Sequence, residues 1–319
     1  MNGSGTHLVV GAGEVGAAVA RQLADAGIDV VLVTRGGSGP EHPAIRRVAA
    51  DASSVDALLA ASPDAVVVYN CVNPPYDQWV ELWPPMAQAF LQYAERTGAV
   101  LATCSNLYGY GPVDVPMTEA LPLAATGAKA GVRVQMWKEA ASLNDAGRIR
   151  ATEVRGSDYL CRGPQSMLGD RVMPRILAGK GVQLIGDVDQ PHTWTAPADV
   201  ARTLITVAMD PRGWGRAWHV PSNPPRSQRE AVAELAAAAG VTTPKVSAIP
   251  PVVLRALGLF QPVIRELKET DYQRERPYLL DDSAVRSTFG LAHTPWATLL
   301  AEQVAHYRDD SPQSELRVA

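Results

Sequence analysis

The sequence predicts an α/β fold: a doubly wound parallel sheet with helices on both faces, followed by a small C-terminal lobe. Three observations predict it. Residues 7–36 read as strand, Gly-rich turn, helix and second strand. Short apolar runs then alternate with helix-patterned stretches as far as residue 154, which is the pattern of βα units. Beyond that point the alternation breaks into isolated short elements. With 46% hydrophobic residues in a chain of 319, there is enough apolar side chain for a large core in one or two domains.

Several function classes are disfavoured at once. The net charge is −4 and there is no basic stripe, which argues against a nucleic-acid partner. No apolar run reaches membrane-spanning length. The chain enters its first strand with no charged n-region or apolar h-region, so a cytoplasmic protein is expected. The three cysteines, Cys71, Cys104 and Cys161, cannot all pair and have no metal-ligand spacing, so no metal site is expected.

The first strand, Leu8-Val9-Val10, runs into Gly11-Ala12-Gly13-Glu14-Val15-Gly16. A helix pattern over 15–26 follows, with Val15, Val19 and Leu23 on one face and Gly27 closing it. G-x-G-x-x-G between a strand and a helix is a dinucleotide-binding turn. Gly11 permits the tight turn, Gly13 lets the backbone approach a pyrophosphate, and Gly16 lets helix and strand pack closely. The helix N-terminus supplies free N–H groups and the positive end of its dipole. The second strand, 30–33, ends in Thr34-Arg35-Gly36. That position carries an acidic residue when the ribose hydroxyls of NAD are bound and accepts an Arg for the 2′-phosphate of NADP. Arg35 therefore selects NADP(H).

A third strand over 47–50 ends at Asp51, which either bonds the adenine amino group or caps the helix over 55–61. The fourth strand, 66–69, opens into Asn70-Cys71-Val72-Asn73-Pro74-Pro75-Tyr76. Carboxyl ends of parallel strands face the ligand crevice, so Asn70, Cys71 and Val72 should lie along the cofactor. Asn73 and Tyr76 should begin the substrate pocket, and Trp83 reads as core. A helix over 86–96 leads to the fifth strand, 99–103, and then to Ser105-Asn106-Leu107-Tyr108-Gly109. Lys129 lies near the end of the following loop, ahead of a helix over 131–144 that carries Arg133. The sixth strand, 150–154, ends near Tyr159. Later elements are a short helix over 172–177, a strand over 182–186, an irregular segment with His192 and Trp194, a helix from Pro197 to Met209 and a seventh strand over 217–220. Ser227 and Glu230 form a capping box at the next helix. A strand over 245–249 and helical segments to Tyr307 complete the reading, with a polar tail from Arg308.

This layout resembles the extended short-chain dehydrogenase/reductases, the group of sugar-nucleotide epimerases and dehydratases. The Gly-rich turn, Leu107-Tyr108-Gly109, Gly163-Pro164, Ile185-Gly186-Asp187 with His192-Thr193-Trp194, and Ala198-Asp199-Val200-Ala201 carry the resemblance over nearly the whole chain. It implies a Rossmann-type seven-stranded sheet, order 3-2-1-4-5-6-7. It also implies an NADP-binding domain over 1–162 and 193–222, a substrate lobe over 163–192 and 223–307, and a flexible tail over 308–319. The family's catalytic set is a Ser/Thr after strand five plus Tyr-x-x-x-Lys. Counted from Leu107-Tyr108-Gly109, the Ser/Thr position falls at Cys104 or Ser105, the Tyr at Lys129 or Ala130, and the Lys at Arg133 or Val134. A register over 134–138 keeps a Lys, Lys138, but also lacks the Tyr. The chain thus resembles atypical members that keep the fold and the nucleotide site.

The leading functional reading is an NADPH-dependent ketoreductase of a fairly large, partly aromatic molecule of the polyketide type. Ser105 and Asn106 are candidates to bond the carbonyl oxygen or to shape the loop. Arg133 is the candidate cation beside the cofactor, and Lys129 and Tyr108 are candidate proton donors. Tyr76, Tyr108, Tyr159, His192 and Trp194 are candidate substrate contacts. Arg155 and Arg162 either anchor substrate or form salt bridges. The alternative is a non-catalytic NADP(H)-binding sensor or scaffold. A sugar-nucleotide epimerase or dehydratase ranks below both, because its chemistry needs the missing Tyr. The resemblance leaves monomer or homodimer open, with Trp83, Phe90, Met136 and Trp137 assigned to a helix–helix contact or to the core.

Overall fold

The computed structural model describes residues 5–164, 166–259 and 266–309. Strands β1 (His7–Val10), β2 (Val30–Thr34), β3 (Ile45–Ala49), β4 (Val67–Asn70), β5 (Val100–Asn106), β6 (Arg150–Gly156) and β8 (Ala217–His219) form one sheet. Its order is β3-β2-β1-β4-β5-β6-β8, all parallel. With β8 as seventh strand of the sheet, this is the order expected from sequence. The inner strands are buried on both faces, as parallel strands flanked by helices must be. Helices α1 (Glu14–Asp25) and α6 (Pro197–Met209) cover one face, and α2 (Val55–Ala61), α3 (Trp79–Thr97) and α4 (Ala128–Asp145) cover the other.

A second cluster of buried side chains joins α5 (Met173–Leu177), the two-stranded pair β7 (Val182–Leu184) and β9 (Val246–Ala248), α7 (Gln228–Ala238), and the C-terminal helix over Trp296–Asp309. Ser227 and Glu230 do form the capping box at α7.

Two helices start earlier than their sequence pattern suggests. Helix α3 begins at Trp79 and runs through Pro84 and Pro85, residues that read as helix breakers. Burial of Trp79 and Trp83 outweighs the backbone bonds the prolines cannot make. Helix α4 begins at Ala128, so Lys129 sits in its first turn rather than in a loop. Arg308 is helical, so the frayed tail does not begin there; residues 310–319 of that expectation lie outside the described residues. Among the described residues, no helix is long and apolar enough to cross a membrane. None of their His, Cys, Asp and Glu side chains group to hold a metal.

Candidate active site

The Gly-rich turn is built as a cradle. Gly11 has φ +99°, and a Cβ there would lie 2.5 Å from the Cys71 carbonyl oxygen. A Cβ on Gly16 would lie 1.9 Å from the Gly11 carbonyl oxygen. Both glycines are therefore required by close backbone approach. Gly13 differs: nothing lies within 4 Å of the Cβ it lacks. That open space is at the N-terminus of α1, where a pyrophosphate would meet free N–H groups. Ala12 is partly buried and Val15 is core. Glu14 does not face an open crevice: Arg162, from the loop after β6, donates to its Oε1 at 2.7 Å. Arg162 therefore bridges to the turn as a salt-bridging residue.

At the end of β2, Thr34 Oγ1 donates to the Ser38 carbonyl at 3.0 Å and Arg35 is exposed. Asp51 Oδ1 accepts from the Ser53 backbone and hydroxyl, at 2.9 and 2.8 Å. Those bonds, the backbone one foremost, hold its carboxyl below the usual range. The cap of α2 is Ser54, whose Oγ accepts from Ala57 N, so the capping role considered for Asp51 is already filled. Beyond β4, Asn70 Oδ1 accepts from Val72 N at 3.3 Å and shapes the turn. Cys71 is buried, and Asn73 is exposed.

A second cluster forms over the ends of β4, β5 and β6. Lys129 is 3% exposed, not a solvated side chain. Its ammonium lies over the Tyr76 ring, 4.8 Å from the centroid, and pairs with Glu266. One turn on, Arg133 donates from Nη2 to the Cys104 carbonyl at 2.9 Å. Its guanidinium lies on the Trp83 and Trp79 rings, at 4.6 and 5.4 Å. Burial lowers the Arg133 pKa, opposed first by Glu153. Tyr108 stacks on Trp79 at 6.0 Å, and burial pushes its hydroxyl pKa up. Burial does the same to Tyr159, whose hydroxyl lies 3.5 Å from Cys104 Sγ. Ser105 is buried. Asn106 Oδ1 accepts from Tyr108 N at 3.1 Å, so its side chain shapes the turn.

His192 is held between Trp194 and Tyr278, with centroids at 4.9 and 5.3 Å. Its Nε2 lies 3.0 Å from Asp158 Oδ2. Burial alone would raise the Asp158 pKa, but His192 and then Arg274 outweigh it and bring it down. Trp194 is a correction to the expected set of substrate contacts. It is 1% exposed, belongs to the second cluster of buried side chains, and donates from Nε1 to the Arg226 carbonyl. Trp83 and Phe90 are core as well. Arg155 is no free anchor either. It donates to Glu153 and to the Tyr110 hydroxyl, both at 2.7 Å, and that hydroxyl lies 2.8 Å from His219 Nε2.

The model of the NAD dependent epimerase/dehydratase family matches residues 7–219. The chain belongs to that family. No curated protein matches it by sequence. Solved structures of similar fold include the dTDP-glucose 4,6-dehydratase of Bacillus anthracis in complex with NAD. It is 16% identical, with a TM-score of 0.77, over 97% of this chain and 98% of that one. The Streptomyces venezuelae dTDP-glucose 4,6-dehydratase with NAD bound is 19% identical, TM-score 0.75, over 96% and 97%. The Thermotoga maritima UDP-glucose 4-epimerase with UDP-glucose is 15% identical, TM-score 0.76, over 95% and 99%.

The match to the epimerase/dehydratase family ends at His219. Residues that cover the cluster lie past that end. Glu269 Oε1 accepts from Lys129 N at 2.8 Å and Ala130 N at 3.3 Å. Thr270 Oγ1 lies 3.3 Å from the Tyr76 hydroxyl. Tyr272, its pKa pushed up to about 12 by burial, donates to the Tyr108 carbonyl at 3.3 Å. Sequence reading missed these residues, and also Asp158. None has a local motif, and only the fold brings them to Lys129 and His192.

Proposed function

We propose that this protein is an NADPH-dependent reductase of a carbonyl on a fairly large, partly aromatic molecule, with Lys129 in the place of the family's tyrosine. The observation that carries the reading is the Lys129 ammonium. It is buried on the face of Tyr76 and paired with Glu266. An ammonium can give a proton to a developing alkoxide, while the Tyr108 and Tyr159 hydroxyls are held protonated by burial. The Glu266 side chain is 31% exposed and offers a route for replacing that proton from solvent. Arg133, with two buried donor atoms not yet bonded, supplies positive charge near the reacting oxygen.

The Gly11, Gly13 and Gly16 cradle fits a dinucleotide. When bound, NADP(H) would supply the hydride. The Gly-rich turn, Thr34, Arg35, Asp51 and the segment over 70–72 would hold it. The exposed Arg35, at the end of a β2 whose last residues carry no acidic side chain, favours the 2′-phosphate form. Tyr76, Trp79, Tyr108 and Tyr272 cluster beside Lys129, aromatic surroundings suited to an aromatic substrate. The dehydratases and the epimerase of similar fold are named for nucleotide sugars, yet these aromatic rings and this lysine favour carbonyl reduction.

The test is NADPH oxidation across a panel of aromatic ketones, with Lys129→Gln beside the parent protein. Turnover that falls about 10²–10⁴-fold in the variant, with NADPH affinity unchanged within about threefold, is expected. NADPH binding without turnover of any ketone would leave the protein a nucleotide sensor instead. A variant as fast as the parent would remove Lys129 from the chemistry.

A further inference from the structure

Around Asp158 and His192, polar side-chain atoms are buried without a hydrogen-bond partner. They are Ser157 Oγ, Tyr278 OH and both amide atoms of Gln273. The Gln273 amide is close enough to the Tyr108 and Tyr272 hydroxyls to act on them as a hydrogen-bonding group, but it makes no well-aligned bond to either. His192 Nε2 and Asp158 Oδ2 approach to 3.0 Å as a pair, and among the described residues neither atom has another partner.

The backbone here is fully engaged. His192 N and O both pair with Arg226, at 3.2 and 2.9 Å, and Thr193 N donates to the Tyr278 carbonyl at 2.9 Å. Tyr278 N donates to the Pro191 carbonyl at 3.0 Å, and Thr195 N to the Asp158 carbonyl at 3.0 Å. A tied backbone that presents unsatisfied polar tips is a preorganised site. Each such buried atom is destabilising until something bonds it. A ligand carrying hydroxyl groups would satisfy several together.

The charges say which ligands fit. The cations around this pocket each have a carboxylate counterpart: Lys129 with Glu266, Arg155 with Glu153, Arg162 with Glu14, and Arg274 with Asp271. Arg133 has Glu153 as its nearest electrostatic counterpart. A diphosphate needs cations in excess; Arg155 and Arg133 share Glu153, and with Asp158 as a fifth carboxylate the five cations leave no excess. The Asp158 carboxylate adds an acceptor that repels an anion.

We infer that Asp158, His192, Gln273 and Tyr278 form the hydroxyl-binding end of the pocket, which takes an uncharged, hydroxylated aromatic ligand and not a nucleotide diphosphate. A ligand hydroxyl donates to Asp158 and accepts from the Gln273 amide or the Tyr278 hydroxyl. The ring lies among Tyr76, Tyr108 and Tyr272. This rests on the carbonyl-reductase reading only for the end of the ligand near Lys129.

The experiment is calorimetric titration of the NADPH-loaded protein with three probes: 2,4-dihydroxyacetophenone, its dimethyl ether and dTDP-glucose. The dihydroxy ketone is expected to bind at least tenfold more tightly than the ether, with dTDP-glucose weakest. In Asp158→Asn and Tyr278→Phe, the preference for the dihydroxy ketone should fall below threefold. Unchanged NADPH affinity and melting temperature show that the variants are folded. If Asp158→Asn does not fold, Tyr278→Phe alone decides. Tighter binding of dTDP-glucose, no binding of the dihydroxy ketone, or undiminished preference in the folded variants would overturn the inference. Binding with this pattern but without NADPH oxidation would leave the inference standing and sink the reductase reading. Turnover of ketones independent of Asp158 and Tyr278 would do the reverse.

Discussion

At the scale of single residues, the two glycines at the mouth of the turn separate folding from binding. Gly16→Ala would put a methyl group 1.9 Å from the Gly11 carbonyl oxygen. The backbone cannot yield there cheaply, so a loss of about 3 kcal/mol or more is expected, seen in urea denaturation. Gly13 has φ −67°, which alanine adopts, and open space where the methyl would go. Gly13→Ala should therefore cost about 1 kcal/mol at most, the penalty of alanine at an N-cap. It should nevertheless weaken NADPH binding at least tenfold in a fluorescence titration, because the methyl fills the place of the pyrophosphate. Equal affinity for NADPH in Gly13→Ala and the parent would mean that the phosphates lie elsewhere. Arg35 gives a second reading at this scale. Arg35→Ala should lower affinity for NADPH at least tenfold, leave NADH within about twofold, and weaken the salt dependence of NADPH binding. Equal losses for both cofactors would assign Arg35 no part in their discrimination.

Helix α4 shows how an element carrying chemistry is held by a distant segment. Its N-cap, Gly127, contributes no side-chain bond. Glu269 supplies the cap from 140 residues away in sequence, and its negative charge meets the positive end of the helix dipole. A Cβ on Gly127 would lie 2.2 Å from Glu269 Oε1, so glycine there admits the carboxylate. Glu269→Ala should cost about 1 kcal/mol of global stability, as loss of a cap does. It should also raise amide exchange in the first turn of α4, and Glu269→Gln should restore part of both. Unchanged exchange at Lys129 and Ala130 would mean that the carboxylate does not hold the helix start. The same contact explains what was legible in the sequence. Local periodicity and turn chemistry are written in neighbouring residues, so β1–α1–β2 and the Ser227–Glu230 box could be read directly, whereas the sheet order came only from the family resemblance. The starts of α3 and α4 could not, because burial of Trp79 and Trp83 and the reach of Glu269 are tertiary effects. Lys129 looked like a loop lysine for the same reason. Asp158 and His192 stand 34 positions apart and are brought together by the Tyr159–Thr195 bridge, while His192 itself pairs with Arg226 and Tyr278.

Across the whole molecule, the sheet is closed over histidines that must stay neutral, and this sets its response to acid. His219 is buried behind Arg155 and Tyr110. Its Nδ1 lies 2.9 Å from the Asp281 carbonyl, which can only accept, so Nδ1 carries the proton and Nε2 accepts from Tyr110. Burial, first among the causes, holds its pKa below the ordinary value. His7 opens the central strand β1, with Nδ1 3.1 Å from the Tyr69 hydroxyl, and burial lowers its pKa from 6.5 to about 4. In both cases the unfolded chain takes up a proton before the folded one does. Stability is therefore full above pH 6.5 and falls as pH drops from 6.5 toward 4, where the His7 contribution is exhausted. A shift of this size corresponds to a loss on the order of 3 kcal/mol, the cost of charging a ring that burial has taken out of water. Urea denaturation at intervals from pH 7.5 to 4.5 should show this decline. His7→Gln keeps a polar group for Tyr69 and has no proton to gain. Its stability should be nearly flat over the part of the decline that His7 supplies, leaving the share from His219. A variant with the same slope as the parent would place the acid sensitivity of the fold in other groups.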